Sequence, residues 1–139
     1  MAYRDADVEL THAALHHRAV KLASAMAAVG LRRQDCVALI GRNGVRFGEV
    51  LAACQLSGII AATPNWRWSS TELAEAVRRV SPRMVFCDED YFPLVAEVTA
   101  TMSERCQAAA VPTTTEQASR ELASAHRLRK CHKSETDPG

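Results

Sequence analysis

Val37-Ala38-Leu39-Ile40, closed by Gly41-Arg42-Asn43-Gly44, is a short uninterrupted apolar run that ends in a turn. Such a run reads as a strand covered on both faces, the position of a central strand in a parallel sheet. Upstream, from Thr11 to Val29, the residues Leu15, Ala19, Leu22, Ala23, Met26 and Val29 recur at helical spacing, with Thr11 placed to cap the start and Gly30 to follow the end. Downstream, Val45 to Ser57 reads as a second helix, nearly all apolar from Val50 to Cys54, closed by Gly58 and expected to be deeply buried.

The same alternation continues outward. Ile59 to Thr63 reads as a second strand stopped by Pro64, and the loop Asn65-Trp66-Arg67-Trp68 follows. Ser69-x-x-Glu72 matches a capping box and opens a third helix, whose inward stripe is Leu73, Ala76, Val77 and Val80 and whose wet side pairs Glu75 with Arg79. Ser81-Pro82 ends it, Met84 to Cys87 reads as a third strand, and Asp90 is placed to cap a fourth helix with Pro93 in its first turn. Beyond about Val98 the pattern decays, so residues 1–98 form the α/β segment and residues 99–139 are expected to be a weakly ordered tail. The fold class is therefore α/β, a partial parallel sheet of about three strands with flanking helices and right-handed crossovers. Three strands alone leave two exposed edges, which other strands would have to cover.

Composition bounds the function classes. The chain has 139 residues, 47% of them hydrophobic, enough for a core, with only 5% aromatic, so Ala, Val and Leu must fill it. A formal net charge of +1 argues against a general nucleic-acid binder. The cysteines Cys36, Cys54, Cys87, Cys106 and Cys131 are odd in number, far apart and without a C-x-x-C pair, which reads as reduced thiols. No apolar run approaches the roughly 20 residues of a membrane span, and Met1 to Asp5 lack a signal-peptide pattern, so a cytoplasmic location is expected.

Several ordered stretches carry a family likeness. Glu9-Leu10-Thr11-His12-Ala13-Ala14-Leu15, continuing through Val29-Gly30-Leu31 and Gln34-Asp35-Cys36-Val37-Ala38-Leu39, resembles the amino-terminal signature of the adenylate-forming (AMP-binding) superfamily. Gln55 to Trp68 is similar to the stretch that joins a buried helix to a strand and an Asn-x-Arg loop in fatty-acyl-CoA synthetases, and Ser69 to Ala76 and Ser81 to Asp88 continue in the same order. The likeness covers roughly residues 3–98. It implies a relation to fatty-acid–CoA ligases, which activate a carboxylic acid with ATP and Mg²⁺ and pass the acyl group to coenzyme A. The phosphate-wrapping loop of that family, rich in Ser, Thr and Gly and ending in Pro-Lys, has no counterpart here, since Thr113 to Thr115 lack both a neighbouring glycine and a following Pro-Lys. The later ribose-gripping residues and the lysine-bearing C-terminal domain are also missing. No catalytic, cofactor-binding or metal-binding residue is therefore assigned, no cofactor is expected in this chain, and the expectation is a truncated ligase-like protein that is not catalytic alone. The alternative is a non-enzymatic interaction module whose partner is the remaining portion of a split synthetase; a small nucleotide-binding protein is a third and weaker reading.

Other motifs invite sharper readings. Gly41-x-x-Gly44-x-x-x-Gly48 follows a strand and opens a helix, but its spacing is wrong for a dinucleotide loop and favours a plain turn. His12, His16 and His17 read as a solvated helix surface rather than a metal pair, and His126, Cys131 and His132 lack a second ligand cluster. Trp66 and Trp68, flanking Arg67, are expected to pack the loop against the sheet edge rather than stack on a ligand. Arg127, Arg129, Lys130 and Lys133 read as a soluble basic terminus.

Overall fold

A computed structural model describes residues 3–5, 8–42, 44–102 and 107–110. The chain runs β1 (Tyr3–Asp5), β2 (Val8–Leu10), α1 (His12–Ala28), β3 (Cys36–Ile40), α2 (Val45–Ser57), β4 (Ile60–Ala62), α3 (Ser70–Val80), β5 (Met84–Cys87), a 3₁₀ turn (Glu89–Tyr91), α4 (Phe92–Ala100) and β6 (Gln107–Ala110). β1 and β2 pair as an antiparallel ribbon, and the other strands form one parallel sheet in the order β4-β3-β5-β6.

Local chemistry places the helix ends. Thr11 Oγ1 accepts from Ala14 N–H at 3.1 Å, and Gly30, at φ +98, lets Leu31 N–H reach back to Met26 O at 3.1 Å. Gly58 ends α2 in the same way, at φ +68, with Ile59 N–H on Cys54 O at 3.0 Å. The capping box on α3 is complete: Glu72 N–H donates to Ser69 Oγ at 3.3 Å while Ser69 N–H donates to Glu72 Oε2 at 2.8 Å.

Alternation along the strands splits the core into two layers. Val37, Leu39, Met84 and Phe86 face α1 and α2, where they meet Leu22, Met26, Val50, Ala53 and Cys54. Ala38, Ile40, Val85 and Cys87 face α3 and α4, against Leu73, Ala74, Val77, Val95 and Val98. All of β5 is buried, so truncating Phe86 to Ala would cost about 3–5 kcal/mol. α2 is buried where it meets the sheet and α1 but not all round; Leu56, on its last turn, is exposed.

Two expectations change. The three expected strands are β3, β4 and β5, and β6 adds a fourth, pairing Met84↔Gln107 through Cys87↔Ala110 and covering the free edge of β5. It lies inside the segment expected to be a tail, and its Gln-Ala-Ala-Ala sequence has weak strand preference, so pairing with β5 rather than propensity makes it a strand. Asp90 does not cap α4. The chain enters that helix straight from the 3₁₀ turn, so Tyr91, at φ −96 and ψ −5, occupies the cap position with no extended backbone and no side-chain hydrogen bond to the helix end, while Pro93 does sit in the first turn. Residues 111–139, with Thr113–Thr115 and the basic run His126–Lys133, lie outside the described residues, as does Cys106.

Among the described residues no helix is long and apolar enough to cross a membrane.

Candidate functional site

In an open parallel sheet, ligands favour the crevice beyond the carboxyl ends of the strands where the winding reverses direction. Here β3 lies between β4 and β5, so the chain crosses to one side for β4 and to the other for β5, and the reversal falls between β3 and β5. The segments that emerge there are Gly41-Arg42 after β3 and Asp88 to Tyr91 after β5, with the loop Asn65 to Trp68 beyond β4 beside them.

Asp88 closes the crevice. Its N–H donates to Ile40 O at 3.1 Å, prolonging the ladder, and its Oδ2 accepts from Arg42 N–H at 3.0 Å. A Cβ on Gly41 would stand 2.9 Å from Asp88 Cγ, so glycine is what lets the carboxylate lie against the turn. The turn that motif reading singles out as a possible phosphate loop thus already holds a negative side chain. A triphosphate does not fit the same donors, because it would have to displace or repel that carboxylate.

Beside it stands a small basic stack. The guanidinium carbons of Arg42 and Arg67 each lie 5.2 Å from the centre of the Trp66 ring, within cation–π range. Asn65 shapes this loop, its Oδ1 accepting from Arg67 N–H at 3.0 Å and its backbone O from Trp68 N–H at 3.0 Å. Tyr91 ties the loop to the turn after β5 by donating its hydroxyl to Trp66 O at 3.0 Å. Trp66 is half-buried under two arginines, whereas Trp68 is 46% exposed. Among the described residues the stack offers two cations to an anion but no converging set of backbone donors around one.

The remaining sequence candidates lie elsewhere. His12, His16 and His17 are exposed on α1, and no group of three metal-ligating side chains occurs among the described residues. His126, Cys131 and His132 are outside them. Burial pushes the Cys54 thiol up to about 11 and, with the Asp88 charge adding to it, the Cys87 thiol up to about 12; Cys36 is raised by burial as well. Thiols held in the protonated form are poor nucleophiles. Sequence reading passed over Arg42, Asp88 and Tyr91. The available signal was positional: each follows a predicted strand at its carboxyl end.

Comparison with known proteins extends the picture. The family described as AMP-binding enzyme matches residues 1–138. The fatty acid–[acyl-carrier-protein] ligase ScoC of Streptomyces coeruleorubidus is 30% identical over 95 residues, which are 68% of this chain and 18% of that protein. A medium-chain-fatty-acid–CoA ligase of Ectopseudomonas oleovorans is 32% identical over 81 residues, 58% of this chain and 15% of that one. A structure assigned as a long-chain-fatty-acid CoA ligase, from Rhodopseudomonas palustris CGA009, superposes with a TM-score of 0.71 at 30% identity, covering 76% of this chain and 27% of that one. A benzoate CoA ligase from Burkholderia xenovorans LB400 shares the fold at a TM-score of 0.76 and 17% identity, over 86% of this chain and 24% of its own. The chain thus spans about a fifth of the curated relatives it matches.

Proposed function

The chain belongs to the AMP-binding enzyme family, and from that premise we propose that it forms the opening α/β layer of a fatty-acid–CoA ligase and is not catalytic by itself. Activation of a carboxylic acid with ATP and Mg²⁺, and transfer to coenzyme A, would then belong to the assembly this layer helps to build. One observation carries the proposal: the fold matches acid–CoA ligases well, yet over little more than a quarter of the Rhodopseudomonas palustris chain. The site is in keeping with it. The Gly41–Arg42 turn is occupied by Asp88, and the Arg42–Trp66–Arg67 stack supplies positive charge without a phosphate cradle. These residues are better suited to form one wall of a larger site than to hold a triphosphate. A cytoplasmic location is part of the same proposal.

The test is direct. The purified 139-residue chain, given ATP, Mg²⁺ and a medium-chain fatty acid, should release no pyrophosphate and form no hydroxylamine-trappable acyl-adenylate. Turnover above a heat-inactivated control would overturn the proposal.

A further inference from the structure

We infer that the outer edge of β4 is the seam at which this layer accepts a β-strand from the part of a fatty-acid–CoA ligase that these residues do not contain. The inference rests on the function proposed above and goes further by naming the surface and the backbone groups involved.

Hydrogen-bond direction identifies those groups. Ile60 N–H donates to Asp35 O at 2.8 Å, so Ile60 turns its backbone groups toward β3. In a parallel ladder successive residues alternate, and with the register Cys36↔Ile60, Val37↔Ala61 and Ala38↔Ala62 it is Ala61 whose N–H and C=O point away from β3. Among the described residues no strand pairs with that side.

The edge also lacks protection. Sheet edges that face water are usually blunted by a charge, a proline or a bulge, but Ile60-Ala61-Ala62 carries none of these, and the first proline is Pro64. Register puts Ile60 on the same face as Ala38, which α3 and α4 bury completely, yet Ile60 is 51% exposed. Among the described residues the helical cover stops one strand short. A parallel strand is stable with both faces covered, so the missing partner must supply both a strand and an apolar layer over Ile60.

The comparisons point to the occupant. The ligase fold that superposes on 76% of this chain continues for nearly three-quarters of its own length beyond the match. A chain built from the same layers is the source of an apolar strand and its covering element. A second copy of this chain, or its own residues 111–139, are the competing occupants.

The experiment uses the 139-residue chain and, as probe, the Ectopseudomonas oleovorans ligase expressed without the stretch that matches it, with that stretch itself as positive control. In the isolated chain the Ala61 amide should exchange with solvent rapidly, and the probe should protect it. Ala61→Pro removes the outward donor and leaves the bonds to β3 in place, a position where edge proline is tolerated. It should weaken the complex at least about tenfold with an unchanged circular dichroism spectrum, since a lost backbone hydrogen bond of about 1.4 kcal/mol is tenfold in affinity. Ile60→Lys should do the same through the uncovered face.

Slow exchange of Ala61 in the isolated chain would overturn the inference; sedimentation would then assign the cover to a second copy if the species is a dimer, or to the chain's own residues if it is a monomer. Failure to bind the probe while the control binds would also overturn it. An undiminished complex with Ala61→Pro would remove the seam but leave the proposed function standing, whereas the proposed function fails separately if the isolated chain forms acyl-adenylate.

Discussion

Asp88, one residue past β5, accepts a hydrogen bond from the backbone N–H of Arg42, two residues past β3, at 3.0 Å, and so locks together the two strand ends between which the sheet reverses its winding. The partners are 46 residues apart in sequence. A side-chain carboxylate thus accepts the Arg42 N–H of the turn.

Gly41 and Asp88 should therefore be coupled. Gly41→Ala places a methyl group 2.9 Å from the carboxylate and is expected to cost about 1–3 kcal/mol, whereas in an Asp88→Ala background most of that cost should vanish. Urea unfolding of the four proteins in the cycle measures it. Equal costs in both backgrounds would mean that the carboxylate does not lie against the turn.

Arg18, on α1, donates from Nη1 to Glu49 Oε1 on α2 at 2.8 Å, and Glu49 is only 5% exposed. Arg18→Met takes away a cation from a buried carboxylate. We expect a loss of about 1–3 kcal/mol, below the roughly 3–5 kcal/mol of a fully buried pair, because water reaches the arginine. Adding Glu49→Gln should recover part of it. A lone Arg18→Met variant as stable as the parent would show that the pair contributes nothing.

The capping box on α3 should leave an acid-side signature. The backbone N–H and hydroxyl of Ser69 hold the Glu72 carboxyl below its ordinary value of 4.5. A depressed folded-state value gives stability that is present above the unfolded value and lost as pH falls through the folded one. Stability should therefore decline below pH 4.5, and Glu72→Gln should flatten that part of the decline; an unaltered acid limb would rule the contribution out. Ser69→Ala, which removes the cap itself, should cost roughly 1 kcal/mol at neutral pH.

The thiols set the alkaline limb. With folded values of about 11 for Cys54 and about 12 for Cys87 against an ordinary value of 9.0, the folded state keeps its protons where the unfolded chain loses them. The thiols' contribution is full below pH 9.0 and should be lost as pH rises from there toward 11 to 12. Replacing both residues with Ala should reduce the slope of that fall. Alkylation at pH 8 should modify Cys36, which is part-exposed, well before Cys54 or Cys87, which should react only as fast as the chain opens. Rapid labelling of Cys87 in the native chain would contradict its burial.

What could be read directly was whatever depends on neighbours in sequence. Val45–Ser57 matched its expected bounds, Ser69 and Glu72 formed the box their spacing announces, and Gly30 and Gly58 took the positive φ that a helix end requires. Asp90 misled because a cap depends on the backbone preceding it, and the 3₁₀ turn there is held by Asp88 and Tyr91. β6 was hidden because alanine states no strand preference of its own.

The amino-acid sequence by itself determined the α/β class, the boundaries of α1, α2 and α3 and the family likeness, since periodicity, caps and turns act over a few residues and the likeness resides in their order. Only the tertiary structure decided that Asp88 fills the Gly41–Arg42 turn, that Arg42 and Arg67 share the ring of Trp66, and that Ala61 faces outward from an edge with no partner strand among the described residues. Each of these depends on strand order and register, which bring distant residues together and which no local pattern encodes.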